Sequence, residues 1–84
     1  MTLSDLARQL RDDYDGNGVA KGIAASVHLF GIRWADELEG MSLRDLCVHA
    51  GIPVSYVVEI SKGRNLAKYV EIKREFRANL GAAE

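Results

Sequence analysis

Apolar residues recur along this chain at helical rather than strand spacing. Leu3, Leu6, Ala7, Leu10 and Tyr14 share one face of a first helix that Thr2 can cap, with charges opposite. The glycine-rich turn from Asp15 to Gly18 is expected to stop it. From Val19 to Leu38 a stripe of Ile23, Val27, Phe30, Trp34 and Leu38 predicts one long helix. Leu29, Ile32 and Ala35 add apolar surface on a second side, so this helix is expected to be central, with Phe30 and Trp34 in the core. Gly31 within it either permits a close helix contact or marks a kink. Asp36 to Gly40 reads as a charged helix end and stop.

The next stretch, Ser42 to Lys62, organises the rest. Ser42 suits an N-cap, and Asp45 places negative charge at the helix's positive end. Leu43, Leu46, Cys47 and Ala50 make one apolar face of a short helix, Ser42–Ala50. Gly51 supplies a left-handed stop. Pro53 suits the first turn of a second helix, Val54–Lys62, because a missing N–H costs nothing there. Val57 and Ile60 point that helix at the core, and Gly63 is expected to close it. Beyond Gly63, residues 67–73 are ambiguous. Leu66, Tyr69, Ile72, Phe76 and Leu80 can share a helical face, yet Tyr69 to Lys73 is rich in strand formers and suits a short strand. Residues 74–80 read as helix and Gly81 to Glu84 as a frayed tail. The expectation is an all-α single domain, residues 1–84, of about five helices, with a possible short strand near 69–73.

The spacing of Leu46, Cys47, Gly51, Ile52, Val57 and Ile60 resembles that of the helix-turn-helix DNA-binding superfamily, whose second helix enters the major groove. Two helices crossing steeply need a small contact residue and a sharp turn between them. The segments HLFGI and KGRNLAKYV add a resemblance to small prokaryotic helix-turn-helix-like proteins of unassigned function, which brings no activity with it. The resemblance implies a sequence-specific DNA-binding protein, a small transcriptional regulator acting as a homodimer. It puts Ser55, Tyr56, Glu59 and Lys62 on base edges and Ser42, Arg44, Arg64 and Lys68 on phosphates. The competing reading is an interaction module of the same shape without DNA binding, in which Val54, Tyr56 and Val58 dock a partner.

Charge changes this picture only in part. The net charge is −1, poor support for binding a polyanion. Its distribution is more informative: residues 1–60 hold five Lys or Arg against nine Asp or Glu, whereas residues 61–84 hold six against three. A basic segment, 62–77, therefore begins where the second helix of the motif ends. Asp13, Asp15, Asn17 and Gly18 match the opening of a calcium-binding loop, but Ala24 stands where its bidentate carboxylate belongs and Lys21 adds a repelling charge. No metal site is expected there. His28 and His49 are read as polar surface or satisfied core residues, and Cys47 as a small contact residue rather than a reactive thiol. A single cysteine excludes an internal disulfide and fits a reducing compartment. There is no nucleophile–base pair, metal-ligand cluster or phosphate-cradling glycine loop, so no enzyme, cofactor or small-molecule ligand is expected. No apolar run is long enough for a membrane span or leader, and the expected location is cytoplasmic.

Overall fold

The computed structural model describes residues 1–18 and 20–73. Among them are five α-helices and a 3₁₀ turn, and no strand: α1 (Leu3–Tyr14), α2 (Ile23–Arg33), α3 (Ala35–Leu38), α4 (Leu43–Ala50), the 3₁₀ turn Val54–Tyr56 and α5 (Val57–Leu66). The class is all-α, as the spacing predicts. The helix expected over 74–80 lies outside the described residues.

Local chemistry sets the helix starts. Thr2 and Asp5 form a reciprocal capping box: Thr2 Oγ1 accepts the Asp5 N–H at 3.2 Å, and Asp5 Oδ2 accepts the Thr2 N–H at 3.1 Å. These bonds favour the ionised carboxylate and hold the Asp5 pKa below its ordinary value. Ser42 caps α4 in the same way, its hydroxyl accepting from Asp45 N at 3.2 Å.

The long central helix is corrected at both ends. Ala20 to Gly22 are not helical, and α2 begins at Ile23 behind Gly22, whose φ of 92° no side-chain-bearing residue adopts easily. Ile23 is consequently exposed, whereas Val27 and Phe30 are fully buried. Trp34 then leaves the helical conformation and separates α2 from α3. A straight helix of that length would run about 30 Å and carry Leu38 past the core. The break returns Leu38 to it, fully buried, and leaves Trp34 half-buried at the edge with the Arg33 guanidinium 4.3 Å from its ring centroid.

The expected end at Gly63 is also corrected. Helix α5 runs through Gly63 to Leu66, followed by turns at 67–69 and irregular backbone to residue 73. The possible strand at 69–73 does not form among the described residues, because helices offer its backbone no ladder to join. Gly63 is needed inside the helix. Helix α5 lies on α2, and Gly63 meets Gly31 with their Cα atoms so close that a Cβ on either would stand 3.1 Å from the other. A Cβ at Gly31 would come within 2.5 Å of the Ile60 carbonyl oxygen, and one at Gly63 would collide with the His28 carbonyl. Gly31 thus permits close contact, and the kink belongs to Trp34.

The core gathers Leu6 and Leu10 of α1, Val27 and Phe30 of α2, Leu38, then Leu43, Leu46 and Cys47 of α4, Ile52 and Ile60. Cys47 is fully buried, and burial pushes its thiol pKa up, away from thiolate chemistry.

Gly31→Ala or Gly63→Ala is expected to cost about 1–3 kcal/mol of stability, read as a lowered urea midpoint, since the clash is with backbone rather than a movable side chain. A midpoint equal to the parent's would mean that α2 and α5 separate without cost.

Candidate nucleic-acid interface

The turn between α4 and α5 is built from backbone bonds. Gly51 ends α4 at φ 73°, in the left-handed region. Its N–H donates to Val48 O and the Ile52 N–H donates to Cys47 O, both at 3.1 Å, the paired closure that satisfies a helix's last carbonyls. The carbonyl of Gly51 itself accepts from Arg11 Nη1 of α1 at 3.0 Å. Arg11 is held in turn by Asp15, at 3.1 Å, and lies against the Tyr14 ring. A side chain of α1 therefore fixes the turn of the motif.

Burial divides the second half of the motif into two faces. Val57 packs on the core, and Ile60 and Gly63 are buried against it and against α2. Ser55, Val58, Lys62 and Asn65, at i, i+3, i+7 and i+10, are all exposed, as is Val54. On α4, Arg44 and Val48 lie on one exposed face at i, i+4. Val48 is 59% exposed, more than Val54 at 40% or Val58 at 55%. The sequence reading passed over Val48, although its place outside the Leu43/Leu46/Cys47/Ala50 face marks it as outward.

The other candidate residues fall differently. Tyr56 is half-buried, its ring edge-on to Tyr14 with centroids 5.5 Å apart, so it serves the α1–motif contact. The Glu59 carboxylate is engaged by His28 Nε2 from α2, an ion pair when the imidazole is protonated, and lies 3.7 Å from Lys62 Nζ. His28 is thus the partner of a motif residue, a role with no local sequence signal because 31 positions separate the two. Ser42 is exposed but already caps α4.

Arg64 and Lys68 belong to another side of the molecule. Arg64 is two residues past Lys62, about 200° further round the helix. With Asn65 and Lys68 it borders a cleft of about 430 Å³ that is also lined by Asp36 of α3 and by Glu39 just past its end. The structure therefore brings Arg44, Ser55, Val58 and Lys62 to the outside of the motif and sets Arg64 and Lys68 in a cleft shared with carboxylates.

Comparison with protein families finds a match over residues 2–73 to a family described as an HTH-like domain. Comparisons with curated proteins and with solved structures each return no match.

The acidic turn after α1 shows why its loop-like sequence has another use. Asp15 is paired with Arg11, while Asp13 is buried, its Oδ1 3.0 Å from where a Cβ on Gly18 would stand. Burial raises the Asp13 pKa to about 6, with Arg33 pulling it down and Asp12 pushing it up. A folded-state pKa above the unfolded one means that the native state holds the proton more tightly. The resulting stability is fully present below about pH 4 and is lost as pH rises through about 6. Asp13→Asn is therefore expected to gain on the parent between pH 4.5 and 7.5, by on the order of 2 kcal/mol, in urea melts at the two values. A gap that does not widen with pH would show that Asp13 is not the group responsible.

Proposed function

The chain belongs to the HTH-like domain family, and from that membership we propose that it is a sequence-specific DNA-binding protein, a small transcriptional regulator acting as a dimer. The observation that carries this reading is the outward stripe of Ser55, Val58 and Lys62 on the second half of a motif whose inward stripe is locked to α2. A helix held by its back face presents its front face without rearrangement, which is what insertion into a major groove requires.

Ser55 offers a hydroxyl to base edges, and Lys62 reaches a guanine or a phosphate. Arg44, exposed in the first turn of α4, supplies a phosphate contact where the first helix of such a motif crosses the backbone. Glu59, the acid on this side of α5, is engaged by His28 and lies 3.7 Å from Lys62, which supports its carboxylate being occupied within the protein rather than turned on the phosphates. Arg64 and Lys68 contribute less, because Asp36 and Glu39 line the same cleft. A single module of this size covers little DNA, so two copies read half-sites about one helical turn apart.

The interaction-module reading has its own support in the exposed Val48, Val54 and Val58 and in the net charge of −1. Titration of duplex DNA at several salt concentrations separates the two. The regulator binds with an affinity that falls as salt rises; the module shows no binding even at low salt. Lys62→Ala and Arg44→Ala are each expected to flatten the slope of log K against log salt by about one unit. Ser55→Ala should keep the slope and relax the preference at one base position. Failure to bind any duplex at low salt would remove DNA from the account.

A further inference from the structure

Val54 and Val58 stand one helical turn apart on the outward side of the motif, and neither has a role in the core. Folding gives no reason for them. Exposed valine is a poorer helix former than alanine by about 0.5 kcal/mol, and Val54 and Val58 still leave 40% and 55% of their surface uncovered. Their neighbours are polar or charged: Ser55 lies between them, and Lys62 lies one turn beyond Val58 on the same face. Resting on the DNA-binding reading above, we infer that Val54 and Val58 read the C5-methyl groups of thymines in the major groove. The recognised site then carries thymine opposite this pair of side chains.

The chemistry is selective. Among the four bases, thymine alone puts a methyl group on the major-groove edge; the other bases present hydrogen-bond donors and acceptors there, with only a C–H at C5 of cytosine. A valine has no polar atom, so against guanine O6 and N7 or cytosine N4 it strips water and returns no hydrogen bond. Against thymine it exchanges two wetted apolar surfaces for a contact. The cations flanking the pair supply the charge complementarity. Lys62 lies one turn beyond Val58 on α5, Arg44 is exposed on α4, and the carboxylate beside Val58, that of Glu59, is engaged by His28. The apolar centre with a cationic margin fits a groove floor bordered by phosphates.

The test begins with selection of bound duplexes from a random pool, followed by replacement of each thymine in the selected site by uracil, which removes the methyl group alone. At one or two thymines the parent protein is expected to lose roughly three- to tenfold in affinity. Val58→Ala or Val54→Ala should bind the thymine site more weakly by a similar factor and be indifferent to uracil at the matching position, so that the two losses do not add. Both positions are exposed, and unchanged helical circular dichroism of the variants shows that folding is intact. If uracil has no effect anywhere, or if the variants keep the parent's sensitivity, the methyl reading is wrong while DNA binding stands. If no duplex is selected at all, both readings fall and the valines belong to a protein partner.

Discussion

Much of this structure depends on two backbones meeting at Gly31 and Gly63. Helix α5 can lie this close to α2 only because neither residue has a Cβ. Close approach fixes the rotation of α5 about its own axis. Once Gly63 faces Gly31, Ile60 must enter the core, and Ser55, Val58 and Lys62 must face outward. The same contact places polar partners. His28 precedes Gly31 and Glu59 precedes Gly63 by about one turn, so their side chains meet beside the crossing and give it a polar flank. A bulkier residue at the crossing would displace the helix and with it every outward side chain.

The other half of the motif is held by a different device. Helix α4 is too short to be stable alone, and helices of that length depend on tertiary contacts. It obtains them from α1, through Leu6, Leu10, Leu46 and the fully buried Cys47. Arg11 extends this support to the turn by bonding Gly51 O. With α4 and its turn tied to α1 and α5 tied to α2, the packing of α1 on α2 sets how the two halves of the motif sit. The first two helices are the frame for the last two.

What was legible in the sequence was what is decided locally. The Thr2 and Ser42 caps, the Gly51 stop and the inward face of α4 each depend on residues within a few positions, and each is found where the pattern puts it. What depends on a distant partner was not legible. Gly63 reads as a stop because glycine weakens a helix, and only Gly31 in another helix makes it an interior residue. Trp34 continues the apolar stripe in phase, so nothing nearby announces the break that sends Leu38 back to the core. The exposure of Ser55, Val58 and Lys62 follows from their phase opposite Val57 and Ile60. The contacts of Tyr56 and Glu59 do not, since Tyr14 and His28 lie far off in the sequence.

The net charge of −1 is a weaker objection to DNA binding than it first looks, because charge acts over about 8 Å at physiological salt. What matters is which charges share a face. Asp36 and Glu39 line the same cleft as Arg64 and Lys68, Asp15 is paired with Arg11, and Glu59 lies 3.7 Å from Lys62. The motif's exposed side carries Arg44 and Lys62, the latter beside that carboxylate, together with Asp45 and the exposed Val48, Val54 and Val58. On the DNA-binding reading this sets a particular balance. Two phosphate contacts give a salt exponent of only about −2 per protomer, so attraction to arbitrary DNA is feeble. Affinity then has to come from base edges and from pairing two protomers on one site. A lysine-rich reader finds DNA first and its sequence second; on the proposed reading this face would have little hold on DNA until the sequence is right.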